Sequence, residues 1–316
     1  MPAFSASAPG KAILFGEHAV VYGKPAIAVP IRQVQAKAVI TPLPKSPPGI
    51  VLIQAPAIGL EAELPDLPGD HPLALAIRLV LTRLNLGGAP ACRVRITSTI
   101  PLAAGLGSGA AVSVALIRAF SAFLGKPFPL ELVSDLAYEV EKRYHGTPSG
   151  IDNSVVTYNR PIYFLRGQPI ELLQISTPLT LVIGDTGIAS PTAKAVGDVR
   201  QGWQSEPARY ETLFREVEAI VKQARAAIES GNLEVCGGLM NANHDLLRRI
   251  GVSGVELDRL VESARMAGAL GAKLSGGGRG GNMLALAAAD RAQSISQKLL
   301  EAGATRTIVS QVETSV

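Results

Sequence analysis

The sequence predicts an α+β protein in which sheets and helices form two layers. Patterns typical of strands and of helices are mixed along the 316 residues, without the regular βαβ alternation of a doubly wound fold. Hydrophobic residues make up 47% of the chain and charged residues only 18%, so the chain can bury a large core. A chain of this length forms one large domain or two smaller ones.

β-branched and alternating residues predict strands in the N-terminal part of the chain. These strands are Ala26–Val29, Gln33–Ile40, Val51–Gln54 and Ala91–Thr97. A glycine-rich loop, Pro101–Gly109, follows the last of them. It leads into an Ala/Val/Leu-rich segment, Ala110–Leu124, which predicts a buried helix.

Apolar residues spaced three and four apart predict a further helix, Leu130–Lys142, and His145–Gly150 then interrupts the helical pattern. The stretch Arg160–Pro169 is the predicted passage between two domains, 1–170 and 171–316. The second half is mostly helical, and a capping box at Ser253–Glu256 predicts a helix start. The other predicted elements are strands Leu179–Gly184, Asn282–Ala287 and Thr305–Val312 and helices Glu206–Ser230, Leu233–Ile250 and Asp290–Ala302.

Composition argues against several classes of protein. The net charge of +4 comes from scattered lysines and arginines, which favours an ordinary basic surface over nucleic-acid binding. Two distant cysteines, Cys92 and Cys236, predict neither a disulfide framework nor a metal site, so we expect a reducing, cytoplasmic setting. The N-terminus lacks a signal-peptide pattern, and no apolar run reaches the roughly 18 residues of a membrane span.

Two motifs in the first third of the chain combine charge with glycine. Pro9–Gly23 holds Lys11, Glu17 and His18 between glycines, which fits either a site or a turn with solvated charges. Pro101–Ala111 allows close backbone approach and opens a helix, whose free N–H groups suit a polyphosphate. Its spacing matches neither a Walker A loop nor a dinucleotide fingerprint. The alternative interpretation is a glycine-rich turn that binds no ligand.

Two later motifs also carry chemistry. In the stretch from Glu141 to Asn153, Glu141 and Asp152 flank a Gly-Thr-Pro-Ser-Gly turn. One carboxylate can bind a cation while the other handles a proton, although Asp152 also suits the N-cap of a helix. The stretch Lys273–Asn282 is rich in glycine between apolar flanks, which favours close packing or ligand approach over a free linker.

Together these motifs resemble those of the GHMP kinase superfamily and, within it, the mevalonate kinases. Superfamily members carry a PGK stretch, a P-x-x-x-G-L-G-S-S-A-A phosphate loop and a C-terminal glycine-rich loop, in this order. The stretch PGKAILFGEHAVVYGKPAIAV is similar to mevalonate kinases rather than to galactokinases, and GTPSGIDN is similar to their catalytic turn. The resemblance covers nearly the whole chain. It implies a ribosomal-S5-like N-terminal domain and a ferredoxin-like C-terminal domain.

The resemblance implies transfer of the γ-phosphoryl group of ATP to the 5-hydroxyl of mevalonate, in isoprenoid biosynthesis. Asp152 would accept or orient the hydroxyl proton, and Lys11 would neutralise charge near it. Glu17, His18 and Thr192 would lie at the mevalonate end. Mevalonate and ATP are the implied partners, and a homodimer is implied as well. The alternatives are another superfamily enzyme acting on a mevalonate-like acid, or a non-catalytic ligand sensor.

Magnesium is the implied cofactor, held by Glu141 between the β- and γ-phosphates. The residues implied to bind ATP are Pro101, Gly105, Leu106, Gly107, Ser108, Gly109 and Ala110. Relatives carry a second serine where Gly109 stands, and that serine is implied to ligate Mg²⁺, so we expect Ser108 or water to replace it. A second departure places Arg279 in the C-terminal glycine-rich loop. Its side chain would either contact a phosphate or extend into solvent.

Overall fold

The computed structural model describes residues 3–101, 104–145, 148–189 and 192–314, without the side chains of residues 144 and 145. The chain divides into two compact units. Unit 1 comprises Met1–Gly10, Val34–Pro101 and Gly107–Asn159, and unit 2 comprises Lys11–Gln33, Leu102–Leu106 and Arg160–Val316. The predicted domain boundary at residue 170 stays a prediction.

The described residues form a mixture of strands and helices. The strands are β1 (Phe4–Phe15), β2 (Ala26–Pro42), β3 (Val51–Ala55), β4 (Leu60–Glu63), β5 (Cys92–Ser98), β6 (Ile162–Phe164), β7 (Glu171–Leu172), β8 (Leu179–Asp185), β9 (Gly271–Ser275), β10 (Asn282–Ala287) and β11 (Arg306–Val312). The α-helices are α1 (Pro72–Arg83), α2 (Ser108–Phe123), α3 (Leu130–His145), α4 (Ile151–Tyr158), α5 (Thr192–Ser205), α6 (Pro207–Glu229), α7 (Leu233–Ile250), α8 (Val255–Met266) and α9 (Ala292–Glu301).

Unit 1 packs helices against strands of a mixed, seven-stranded sheet. Strand β3 pairs in parallel with β5 and antiparallel with β4, and β5 pairs with the later part of β2, where Ala36 lies opposite Ser98. Helices α1, α2, α3 and α4 pack against one another. The two strands predicted around Pro30 are one strand, β2, because proline removes only one ladder donor from an extended backbone.

Unit 2 contains an antiparallel sheet in the order β11-β8-β10-β9. Every residue of β8, β9 and β10 is buried, which accounts for their apolar sequence. Helices α7, α8 and α9 pack on this sheet. Leu284 of β10 lies opposite Ile183 of β8 on one side and Lys273 of β9 on the other.

The predicted capping box is wrong. Gly254 is the residue that caps α8, and no side chain bonds to the free N–H groups there. The Ser253 hydroxyl instead donates to the Asp258 carboxylate at 2.5 Å, so it is already engaged. Across the described ranges, no helix combines the length and the apolar character that crossing a bilayer requires.

Candidate active site

A tight turn after β1 carries Glu17 and His18 into the interior of unit 2. Gly16 has φ +95°, and a Cβ there would lie 2.6 Å from the Cα atom of Ala26. Glycine is therefore required at this position. His18 also has a positive φ, 61°. The exposed fractions of Glu17 and His18 are 1% and 5%, so neither charge is solvated in the way that the alternative of a surface turn requires.

Lys273 of β9 forms a fully buried ion pair with Glu17. Its ammonium donates to Glu17 Oε1 and, at 2.7 Å, to the carbonyl of Leu274. Burial raises the pKa of Glu17 and lowers that of Lys273, while the attraction between the two opposes both shifts. No role was predicted for Lys273, although a lysine within an apolar stretch is a usable signal.

The C-terminal glycine-rich loop, residues 276–282, lies against the first motif. His18 Nε2 is 3.0 Å from the carbonyl of Gly277, which makes Nε2 the protonated nitrogen. Burial lowers the pKa of His18 to about 4, so the ring is neutral at physiological pH. Nearby, the Ser275 hydroxyl donates to the carbonyl of Ile13 at 3.0 Å.

The beginning of the phosphate loop also joins this part of unit 2. The backbone N–H of Lys11 donates to the carbonyl of Leu106 at 3.0 Å, and the Asn282 amide donates to the carbonyl of Ala104. The Lys11 side chain is 4% exposed. Unit 2 therefore brings together Lys11, Glu17, His18 and the residues at Gly105 and Leu106.

Two buried polar atoms at the turn lack hydrogen-bond partners within the described ranges. They are Oε2 of Glu17 and Nδ1 of His18. Leaving such an atom unpaired costs about 1–3 kcal/mol, and functional sites are among the places where this cost is tolerated. The turn is therefore a candidate binding site for a ligand with hydrogen-bonding groups.

In unit 1, helix α2 begins at the second part of the phosphate loop. Gly107 stands in the left-handed region, with φ 73°, and Ser108 is the first helical residue. The N–H groups of the first turn have no partners within the helix and favour an anion. Gly109 is exposed, and a Cβ built there meets nothing within 4 Å.

Helices α3 and α4 of unit 1 hold the two predicted carboxylates. Glu141 on α3 is 8% exposed, and Asp152 is half-buried in the first turn of α4. The N-cap of α4 is Gly150, so Asp152 does not act as the cap. The Asn153 amide donates to both the carbonyl (3.1 Å) and the hydroxyl (2.9 Å) of Ser134, which fixes α4 on α3.

The implied site residues are distributed over both units. Unit 1 contains Pro101, Gly107, Ser108, Gly109, Ala110, Glu141 and Asp152, and unit 2 contains Lys11, Glu17, His18, Gly105, Leu106 and Thr192. Thr192 is exposed at the first residue of α5. The roles of these residues stay predictions. Among the side chains described, no group of three or more His, Cys, Asp and Glu residues could hold a metal ion.

A buried histidine on α7 is hydrogen-bonded to the backbone of β9. His244 on α7 accepts a hydrogen bond from the backbone N–H of Leu274 at 3.3 Å through Nδ1. Its Nε2 lies 3.2 Å from Asp258 on α8. Burial lowers the pKa of His244 to about 4, against the raising effect of Asp258. Protonation of Nδ1 would break the bond to Leu274, next to the Lys273–Glu17 pair.

The depressed pKa of His244 predicts acid sensitivity. Between pH 6.5 and about 4 the unfolded chain binds a proton at this residue and the folded protein does not, so stability is complete above pH 6.5 and falls as the pH decreases. At 1.36 kcal/mol per pKa unit, the loss approaches about 3 kcal/mol.

Urea unfolding of the wild type and of His244→Gln from pH 7 to pH 4 measures this loss. The variant, which cannot titrate here, should show the shallower decline. His71 provides the comparison: it is partly buried and burial lowers its pKa as well, so His71→Gln should reduce the decline less than His244→Gln does. Equal declines in the wild type and His244→Gln would contradict the assignment.

Comparison with known proteins identifies the family. The model of the GHMP kinases N terminal domain matches residues 73–160, and that of the GHMP kinases C terminal domain matches residues 224–305. The mevalonate kinase of Pyrococcus furiosus is 38% identical over 315 residues, covering 89% of this chain and 88% of that protein. This chain belongs to the mevalonate kinase family of the GHMP kinases. The mevalonate kinase of Aeropyrum pernix is 35% identical over 289 residues, with 89% of this chain and 87% of that protein covered.

Solved mevalonate kinase structures agree with the family assignment and the fold. The crystal structure of L. major mevalonate kinase in complex with R-mevalonate is 35% identical, with a TM-score of 0.84 over 99% of this chain and 96% of that one. The Methanococcus jannaschii mevalonate kinase gives a TM-score of 0.85 at 25% identity, covering 99% of each chain. The predicted α+β GHMP kinase fold is therefore confirmed.

Proposed function

We propose that this protein transfers the γ-phosphoryl group of ATP to the 5-hydroxyl group of mevalonate. The observation that carries this proposal is the likeness, over 99% of the chain, to a mevalonate kinase solved with R-mevalonate. The turn at Glu17 and His18 supports it, because its buried unpaired polar atoms suit the polar groups of a hydroxy acid.

The reaction requires positioning and charge neutralisation more than covalent help. The oxygen of the 5-hydroxyl bonds to the γ-phosphorus, the bond from that phosphorus to the bridging oxygen breaks, and ADP leaves. Asp152 takes or orients the proton of the hydroxyl, and the ammonium of Lys11 balances the negative charge that accumulates on the phosphoryl oxygens.

The chain offers the donor atoms that a magnesium ion binds. Glu141 supplies a carboxylate and Ser108 a hydroxyl, and both lie on helices, α3 and α2, that pack against each other in unit 1. Mg²⁺ prefers oxygen ligands and takes one or two protein groups beside substrate phosphates, which fits this small donor set. A bound Mg²⁺ would neutralise charge on the β- and γ-phosphates.

Gly109→Ser should fold and remain active, with an unchanged or lower Mg²⁺ requirement. The added side chain meets nothing within 4 Å, and serine favours a helix over glycine by about 0.5 kcal/mol. ADP release measured against Mg²⁺ concentration gives the requirement. Ser108→Ala, beside it, should raise the requirement. A folded but inactive Gly109→Ser enzyme would count against this role for the loop.

Coupled ADP release with mevalonate, phosphomevalonate, galactose and homoserine tests the proposed function. Turnover of mevalonate alone supports it. Turnover of another alcohol alone would change the substrate assignment, while the assignment as a kinase would remain. Binding of ATP without turnover of any alcohol favours the ligand sensor, which is the alternative from another class.

The cytoplasmic location expected from the two cysteines and the homodimer implied by the resemblance belong to this proposal as well. Their support is the family, whose name describes a kinase of a small metabolite. Cell fractionation tests the location. Light scattering of the purified protein tests the dimer, which should give twice the monomer mass of 32.9 kDa.

A further inference from the structure

Helix α5 carries Thr192 but has little apolar anchorage. Along this helix, whose residues are all described, the buried ones are Ala195 and Val199. Its C-terminal end is held by Trp203, whose ring nitrogen donates to Glu211 at 2.9 Å. The N-terminal half, with Thr192, therefore depends on other contacts.

Arg279 of the glycine-rich loop supplies such a contact. Its guanidinium pairs with the carboxylate of Asp198, in the middle of α5. The same guanidinium donates to the carbonyl of Gly251 at 3.3 and 3.2 Å, beyond the end of α7. One arginine thus connects α5 to the loop and to α7, and the sequence alternatives of a phosphate or free solvent are replaced by this pairing.

The backbone at Arg279 adds a second argument. Its φ is +58°, a region where an L-residue costs on the order of 1 kcal/mol and glycine costs little. Glycine, which stands on both sides of this position, would adopt the same φ without strain. The contacts of the arginine side chain offset this strain, which indicates that the side chain has a structural or functional role.

The same loop also binds the segment that precedes α5. The carbonyl of Gly281 accepts hydrogen bonds at 2.9 Å from both the N–H and the hydroxyl of Thr186, and the Gly281 N–H donates to Ile188 at 2.8 Å. The loop therefore contacts residues on both sides of Thr192: Thr186 and Ile188 before it, and Asp198 after it.

A cavity beside Arg279 shows why polar contacts matter here. Its volume is about 170 Å³, and its lining residues are Lys194, Ala195, Gly278 and Arg279. Side-chain packing does not fill the space between the start of α5 and the loop. The distance between the start of α5 and the loop therefore depends on the polar contacts that Thr186 and Asp198 make with the loop.

We propose that Arg279 and Asp198 are positioning residues that hold the N-terminal half of α5, and with it Thr192, at the glycine-rich loop. They thereby increase the affinity for the alcohol substrate. This inference rests on the proposed function and on the place at the mevalonate end that the family resemblance implies for Thr192. Each side chain of the pair is 40% exposed, so the pair contributes little to stability, and its effect appears in substrate binding.

Steady-state kinetics of Arg279→Gln and Asp198→Asn test the proposal. We expect the KM for mevalonate to rise about fivefold, the equivalent of about 1 kcal/mol, with kcat and the KM for ATP nearly unchanged. The reversed pair, Arg279→Asp with Asp198→Arg, should recover most of the loss. Because exposed charges are screened, the difference from wild type should shrink at about 1 M salt.

A matched control uses another exposed ion pair of unit 2. Arg249 pairs with Glu216 at 2.7 Å, with side chains 56% and 40% exposed. Arg249→Gln should leave the KM for mevalonate unchanged. An equal rise in this control would show a general charge effect and would overturn the proposal.

Amide hydrogen exchange in the absence of substrate separates this proposal from the proposed function. Residues 192–198 should exchange faster in both single variants and return toward wild type in the reversed pair. Unchanged exchange, or a raised KM that the reversed pair does not lower, overturns the positioning role. A wild type that turns over no mevalonate overturns the proposed function, while the exchange rates still decide whether the pair holds α5.

Discussion

Asp152→Asn should lower kcat for mevalonate by a factor of about 10²–10⁴, the range typical of a lost general acid or base. Asparagine has nearly the same shape as aspartate but cannot accept the hydroxyl proton. The half-buried position in the first turn of α4 tolerates this change, because α4 is fixed by Asn153 and not by Asp152 alone. Coupled ADP release gives kcat, and calorimetric titration gives the affinity for ATP.

Asp135→Asn is the matched control for this variant. Asp135 is an exposed acid on α3, also in unit 1, and its loss should leave kcat unchanged. A loss of activity in both variants would indicate a general charge effect. An Asp152→Asn protein with full activity would remove Asp152 from the reaction, even if mevalonate remained the substrate.

Lys273→Met should destabilise the protein by about 3–5 kcal/mol, the range for removing one partner of a buried ion pair. The change leaves the Glu17 carboxylate without its counter-charge in a site where both side chains are 0% exposed. Burial already raises the pKa of Glu17, and loss of the lysine removes the main opposing effect. Urea unfolding at pH 7 measures the free energy of unfolding.

The double variant Lys273→Met with Glu17→Gln should be more stable than Lys273→Met alone, because it removes the unpaired charge. The exposed pair Lys298–Glu301, with side chains 59% and 49% exposed, provides the control. Lys298→Met should change stability by less than about 1 kcal/mol. If Lys273→Met were as mild as this control, the pair would not be buried as the structure shows.

The double variant also distinguishes folding from function. Glu17 belongs to the candidate binding turn, so a stable double variant should still bind mevalonate poorly. A double variant that is stable and fully active would restrict Glu17 and Lys273 to a purely structural role.

Much of the local structure follows from the sequence alone. Helix α7 has the predicted bounds, Leu233–Ile250, because its apolar positions repeat with the helical period and Gly251 ends it. Strand β10 also has its predicted bounds, since a nearly continuous apolar run after the glycine-rich loop suits a fully buried strand. The motifs likewise determine the family, because Lys11, Glu17, His18 and Asp152 occur in short, specific stretches.

Some local features could not be predicted from the sequence, because they depend on tertiary contacts that compete with the local pattern. Helix α5 was not predicted, since its two buried residues leave almost no apolar period to detect. The capping box failed because the Ser253 hydroxyl binds Asp258 rather than the free N–H groups of α8. In both cases tertiary contacts outweigh a local pattern.

Which distant residues act together depends on the fold. Glu17 and Lys273 are 256 residues apart, and Asp198 and Arg279 are 81 apart, so no local spacing links them. Burial is also a property of the fold: it lowers the pKa of His18 and His244 to about 4 and makes a lysine–glutamate pair costly to break. The chemistry that is available therefore follows from short motifs, whose residue types can be identified in the sequence. Pairing, burial and pKa depend on what the folded chain removes from water, and only the structure could settle them.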